Sequence, residues 1–426
     1  MTTVVERPPE TRKPPRLNRT TKFILVALGA ILIMTVAELI TGSADLTTRG
    51  TASAALRLSI PILLAGLGGL YSERAGIVNI GLEGMMIAGT WFAAWGSWTY
   101  GPWRGVLIGI AGGAIFGLLH AVATVTFNVD HIVSGVAINI LAAGSMRFLS
   151  SLVYTAETGG SVIQSPAVDG IENIDIPFFA GGDLFGWSTP DIFGWLENQS
   201  WFFVSDFAGI LRGFTGGVNW LTLLGLAVVP VTAWLLWRTA WGLRLRSCGE
   251  DPWAAESLGV PVLRMKYSAV VISGALSGLA GAFLVLVQSG IYREGMTQGK
   301  GFIGLGALIF GNWIPTGVLS GSLVFGFGDA LTFRGAVVFR AFVLALAIGL
   351  LLLAIYRGAQ NRTRVAIVGG SIGAAFLVFY ILVDQVPGQL LNATPYLITL
   401  FVLAAASQNL RMPAADGARY MKGEPR

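Results

Sequence analysis

The chain has 426 residues, 54% of them hydrophobic and 12% charged, with a mean hydropathy of +0.69. Soluble domains carry roughly 25% charged residues, so these values exclude a soluble globular protein and define a polytopic membrane protein. The net charge of +5 is modest, and where the charges sit matters more than their sum. A single cysteine, Cys248, excludes an internal disulfide, and only two histidines, His120 and His131, leave little scope for a His-based metal site or triad. No metal, cofactor, catalytic group or nucleic-acid partner is expected.

Residues 1–22 are polar, Pro-rich and basic, with Arg7, Arg12, Lys13, Arg16, Arg19 and Lys22 against Glu6 and Glu10. They read as a disordered cytoplasmic tail ahead of a transmembrane region at 23–410. The apolar run 23–41 exceeds the roughly 7–15 residues of a signal-peptide core, so it reads as an uncleaved first span despite Gly42-Ser43-Ala44. About 20 apolar residues cross ~30 Å of hydrocarbon. That length places further spans at 52–70, 81–99, 105–127, 132–153, 219–237, 267–289, 337–356, 365–383 and 392–410, ten in all. Loop 155–218 holds eight acidic residues and one basic, Arg212, whereas 238–266 holds Arg238, Arg244, Arg246, Arg264 and Lys266. The positive-inside rule puts the first outside and the second inside, with the tail 411–426 also inside.

The most informative stretch is Tyr71–Trp95. An apolar segment runs into a polar, Gly-studded strip and then back into an apolar run carrying Asn79 and Glu83. Backbone polar groups and ionisable side chains are costly in lipid, so such an interruption belongs where it lines a cavity or a protein interior. A second interrupted segment spans 302–331, with arms of about ten and sixteen residues (counted between Phe302, Pro315 and Leu331). They meet at Asn312-Trp313-Ile314-Pro315. Read as one crossing, it would put Arg357, Arg362 and Arg364 outside; read as a re-entrant hairpin, it keeps them inside. The expected fold is therefore all-α, about ten transmembrane helices plus a re-entrant hairpin, with interrupted segments in two halves. Paired broken segments mark a solute path near the midplane. Glycines at 109, 112, 113 and 117, and at 274, 278 and 281, predict close helix packing.

In the basic loop, Gly249-Glu250-Asp251-Pro252 is a helix start, followed by Ala254, Ala255, Glu256 and Ser257 and ended by Gly259. A short small-residue helix on the inner face suits docking to a partner. Five passages, ERAGIVNIGLEGMM (73–86), DHIVSGVAIN (130–139), GEDPWAAESLGVPVLRMKY with SGALSGLAGA (249–282), TQGKGFIGLGALIFGNWIPTG with GFGDAL (297–331) and PYLITLFVLA (395–404), resemble the permease subunits of ABC importers in the branched-chain amino acid, ribose and nucleoside group. The likeness is strongest to the shorter permease of nucleoside importers that work with basic-membrane-protein-type lipoproteins.

That resemblance implies a bacterial plasma-membrane, multi-pass, non-enzymatic subunit that forms a nucleoside path. It implies ATP-binding subunits as partners, a second related permease or a second copy of this chain, and an extracytoplasmic binding lipoprotein. It also implies that 249–260 seats in a groove of the ATPase through Gly249, Glu250, Asp251, Ala254, Ala255, Glu256 and Gly259. The long loop 155–218 and an extra apolar pair within 337–383 depart from the family. Ribose-type sugars, branched-chain amino acids and, less readily, an ion-coupled secondary transporter are the alternatives.

The residues expected along the path are Asn79, Glu83, Asn139, Phe302, Asn312 and Trp313. For Glu83 the competing reading is a buried pair with Arg74; for Asn139 and Asn312 it is interhelical hydrogen bonding. Phe302 and Trp313 offer ring faces for a base, at about 1–3 kcal/mol per stack, against ordinary interfacial anchoring. His131 beside Ser134 faintly suggests a nucleophile–base pair, which a site at the water interface does not favour. No GxxxxGK[ST] occurs, so ATP hydrolysis must come from another chain.

Overall fold

The computed structural model describes residues 19–43, 45–184, 186–383, 386–388, 390–391 and 410–423. Its helices are α1 (Arg19–Thr41), α2 (Arg49–Arg74), α3 (Leu82–Tyr100), α4 (Pro102–Ala121), α5 (His131–Val153), α6 (Ile192–Glu197), α7 (Val204–Thr215), α8 (Trp220–Arg238), α9 (Ala240–Glu250), α10 (Pro252–Ser257), α11 (Val262–Phe283), α12 (Lys300–Phe310), α13 (Pro315–Thr332), α14 (Ala336–Ala359) and α15 (Thr363–Leu382). Two of them run on into a π-helical turn, α4 over Val122–Thr126 and α11 over Leu284–Ser289.

Seven helices among the described residues are long and apolar enough to cross a membrane: α2, α4, α5, α8, α11, α14 and α15. Three expected spans stand apart. α1 is described as an apolar helix only over Leu25–Thr41, and α3, rich in Gly, Thr and Ser, is not among the seven. The third, 392–410 with the passage 395–404, lies outside the described residues except for Leu410.

The chain divides into two compact units. One joins α1, α15 and α14 from Arg340 onward, so the extra apolar pair belongs with the first helix. Its core is Ala37, Leu344 and Ala345, flanked by Ile33, Ile348, Leu377 and Tyr380, and Arg340 lies 5.1 Å above the Tyr380 ring.

The other unit, 45–339 with 410–423, is built around α2. Thr48 caps its start, and every residue from Ser59 to Glu73 is buried, as α7, α8, α11, α12 and α13 pack around it. A helix enclosed on all sides can be apolar on all faces.

Against α2 lies a layer of α3, α4 and α11 packed almost backbone to backbone. A Cβ on Gly89 of α3 would fall 2.5 Å from Cα of Gly278 in α11. One on Gly278 would press on the carbonyl of Gly109 and lie 3.0 Å from Cα of Gly113 in α4. Without lipid-versus-water hydrophobicity to pull them together, helices associate by this kind of close contact.

The acidic loop 155–218 is a folded lid. β1 (Asn173–Ile174) pairs antiparallel with β4 (Val218–Asn219), and β2 (Asp183–Leu184) pairs with β3 (Trp187–Ser188). Its first arm runs beside the end of α11: Ser165 N–H donates to Tyr292 O (3.1 Å), Val168 N–H to Gly290 O (2.8 Å) and Glu294 N–H to Ile163 O (2.8 Å). Arg212, the lid's one basic residue, bridges Asp191 (2.6 Å) and Glu197 (2.7 Å) and so ties α6 to α7.

Candidate functional site

The two interrupted segments meet. After α2 the chain turns through 75–81, where Gly76 takes φ +79, and starts again as α3. Glu83, in the first turn of α3 and 7% exposed, reaches across to the start of α12. Its Oε1 accepts the Gly299 N–H at 2.9 Å and its Oε2 the Gly301 N–H at 2.7 Å. A carboxylate on the free N–H groups of a helix N-terminus is favoured by hydrogen bonding and by the helix dipole together. Gly301 must be glycine for this approach, because a Cβ there would lie 2.6 Å from the Glu83 backbone. The expected alternative, Glu83 paired with Arg74, does not form; Arg74 lies 3.8 Å from Glu250 instead.

Asn79 and Asn139 hold the same turn. Asn79 Nδ2 donates to Ser273 Oγ (2.9 Å) and its Oδ1 accepts the Gly81 N–H (3.0 Å). Asn139 Oδ1 accepts the Gly84 N–H (2.7 Å) and its Nδ2 donates to Ile80 O (3.1 Å). Both amides are thus engaged by protein, which is the interhelical use weighed from sequence for Asn139. Phe302, in the first turn of α12, has 45% of its surface exposed.

Asn312 and Trp313 lie elsewhere. They form the tip between α12 and α13, both with positive φ (+53 and +54). Trp313 is buried, donating its indole N–H to Glu73 Oε2 at 2.6 Å, and its carbonyl accepts from Arg74 at 2.7 Å. The rest of α12, residues 303–310, separates Phe302 from this tip, about 12 Å at 1.5 Å per residue. Phe302 and Trp313 therefore do not form one stacking slot, and the six residues expected along the path fall into a group around the broken segments (Asn79, Glu83, Asn139, Phe302) and a tip (Asn312, Trp313).

α9 and α10 form the loop next to that tip. Asp251 Oδ1 accepts the Ala254 N–H (3.0 Å) and caps α10, with Pro252 at its first position; Gly259 ends it at φ +82. Only one of the two alanines faces outward. Ala255 is 3% exposed and packs with Cys248, Val262 and Tyr420, while Ala254, Ser257 and Gly259 are exposed. Gly249 is pressed against Arg74 and Gly76. Glu250 is shared between Arg74 and the Ala414 N–H (3.3 Å).

Four features escaped the sequence reading. Leu258, at 84% exposure the most exposed large apolar side chain of this loop, was hidden by its place at a helix end. Glu73 was visible only as a helix-end carboxylate. Lys300 and Asp329, 3.7 Å apart with side chains 8% and 15% exposed, gave a signal as charges inside apolar runs. The tail 411–423 is folded onto the α9–α10 loop, and its polar composition gave no sign of that. As for Ser134, its partner is His120 Nδ1 (2.8 Å) and not His131, so no Ser134–His131 pair exists. Among the described residues no cluster of metal-ligating side chains occurs.

This is a helical membrane fold in which two broken segments are joined by a buried carboxylate and a small helix is displayed beside them. Residues 51–356 match the branched-chain amino acid transport system permease component, and the chain belongs to that family of ABC importer permeases. It is therefore an integral membrane transport subunit. Among named relatives, it is 31% identical to the guanosine ABC transporter permease protein NupQ of Bacillus subtilis, over 87% of this chain and 96% of that one. It is 32% identical to the nucleoside ABC transporter permease protein NupC of Lactococcus lactis subsp. cremoris, over 86% and 95%. A putative glucose ABC transporter permease of Haloferax volcanii is 34% identical over 67% of this chain and 77% of its own. No solved structure matches the chain.

Proposed function

We propose that this chain forms the membrane path of an ABC importer for nucleosides and passes the work of a separate ATPase to that path. The observation that carries the reading is near-full-length similarity to permeases named for guanosine and nucleosides. The geometry agrees with a solute that is neutral and flat: the group around the broken segments offers an exposed aromatic, Phe302, while its one carboxylate is consumed by α12. The α-carboxylate of an amino acid would need a cation or a free helix N-terminus, and Glu83 already occupies the one at α12.

α10 is the element offered to the ATPase, with Leu258, Ala254, Ser257 and Gly259 outward and Gly249, Glu250, Asp251 and Glu256 supporting it. A second related permease or a second copy of this chain, two ATPase subunits and an extracytoplasmic binding lipoprotein complete the assembly. Uptake of radiolabelled guanosine, adenosine, ribose and leucine by cells with and without the gene tests the substrate. Nucleoside uptake should vanish alone, and loss of ribose or leucine uptake with nucleosides unaffected would reject the assignment. In the same cells Leu258→Asp, a change on an exposed side chain, should leave the permease folded but abolish uptake and co-purification of the ATPase.

In the same reading, 1–22 and 411–426 are cytoplasmic, 155–218 is extracytoplasmic, and 302–331 enters and leaves on the outer side between ten full spans. Single cysteines placed in a Cys248→Ser background should react with an impermeant maleimide in the lid and not at 357–364. Labelling of 357–364 from outside would turn the hairpin into a crossing.

A further inference from the structure

The described C-terminal segment makes attachments that a solvated tail would not. Arg411 N–H donates to Asn312 Oδ1 (2.6 Å) at the tip between α12 and α13. Ala415 N–H donates to Gly249 O (2.9 Å) and Ala414 N–H to Glu250 Oε2 (3.3 Å), at the end of α9. Asp416 then buries both carboxylate oxygens beside Glu73 of α2, with Lys266 of α11 and Arg74 of α2 near enough to act on its charge. Finally Tyr420, 4% exposed, sets its ring edge-on to Trp253 of α10 at 5.8 Å and closes over Cys248 and Ala255.

Burying a carboxylate is costly unless it is compensated. A segment with no structural role would leave Asp416 in water. α10 packs on α9 and α11, and α9 already meets the end of α2 through Gly249 and Glu250; this segment adds a bond to the tip between α12 and α13 and a second tie to α2.

We propose that residues 411–420 are a coupling strap, which ties the ATPase-facing helix α10 to the α12–α13 tip and to α2 so that a displacement of α10 reaches both broken segments together. The strap rests on the reading of α10 as the ATPase contact. Its side-chain anchors are Asp416, buried beside Glu73, and Tyr420 against Trp253. Both are positioning residues that touch no solute. Burial also pushes the Asp416 carboxyl up to about 7, against the pull of Lys266, so the docked strap holds its proton more tightly than a free one. Docking is therefore strongest in acid and weakens as pH rises from the ordinary carboxylate range through neutrality.

The chain carries its own reporter. Cys248 is the sole cysteine, fully buried, with Tyr420 in the apolar cluster around it, and burial holds its thiol up to about 11, where little thiolate forms. In the complete transporter reconstituted with its ATPase and binding lipoprotein, three chains are compared: wild type, Asp416→Ala, and a chain ending at Met412. The strap predicts that the altered complexes assemble and keep basal ATP hydrolysis. Uptake and the stimulation of hydrolysis by loaded lipoprotein should fall at least about fivefold, the low end of typical site-to-site coupling. Cys248, slow to react with maleimide in wild type, should label rapidly in both.

Undiminished uptake and stimulation in the shortened chain, or Cys248 equally reactive in all three, would overturn the strap. If the shortened chain does not assemble, Asp416→Ala and Tyr420→Ala decide by the same readouts. The two readings fail differently: if α10 is not the ATPase contact, Leu258→Asp leaves the ATPase bound and active, whatever the strap variants do.

Discussion

Gly278→Leu should leave no folded permease in the membrane. The new Cβ would be driven against the Gly109 carbonyl and to within 3.0 Å of Cα and N of Gly113. These are backbone atoms of a helix, and no rotamer change clears them. Overpacking where side chains can shift costs about 1–3 kcal/mol; here α4 and α11 would have to separate along their length, and the cost rises beyond that. Gly144→Leu is the control. It lies on α5 with nothing within 4 Å of a Cβ, and it should behave as wild type. The check is a size-exclusion profile of each variant extracted in mild detergent, and a monodisperse Gly278→Leu peak of normal height would refute the seam.

Glu83→Ala should abolish uptake while the protein still inserts. It deletes the acceptor for two N–H groups at the start of α12. Hydrogen bonds to a charged group are worth about 1.5–3 kcal/mol each, and the dipole contribution adds about 0.3–1 kcal/mol. Together these hold the first broken segment to the second, so α12 loses its register against α3. Glu83→Gln keeps one acceptor oxygen and should retain part of the activity. Glu83→Asp is one methylene short and cannot reach Gly299 and Gly301 at once without moving α3. Guanosine uptake and the detergent-extract melting temperature would be measured together. Wild-type values of both for Glu83→Ala would show that the cap carries nothing.

Much of the architecture was written locally and could be read locally. Asp251-Pro252 and Gly259 mark both ends of α10, and Asn312 to Pro315 marks the break between α12 and α13. Small residues spaced three and four apart on α4 and α11 announced close packing on each, though not that the two pack on each other. What stayed hidden depends on partners far along the chain. Glu83 meets residues 216 and 218 positions away, and no periodicity encodes such a choice. The sequence grouped Phe302 with Trp313 as ring faces for a base, yet Phe302 sits in the first turn of α12 and Trp313 beyond its far end. The tail 411–423 is polar, and a polar segment reads as solvated until its buried Asp416 is seen.

The lid has a consequence for the order of biosynthesis. Its arm at 163–168 finds its hydrogen-bond partners at 290–294, more than a hundred residues downstream. Chains grow at about 5–20 residues per second, so that arm emerges and waits for several seconds or more before its partner exists. Through that interval Trp187, Trp195 and Trp201, all more than half exposed even in the finished fold, stand on a loop ordered by its own short strand pairs, the Arg212 bridges and the packing of α7 on α2. The nascent permease therefore cannot dock this arm of the lid until residues 290–294 have been made, well after the lid itself.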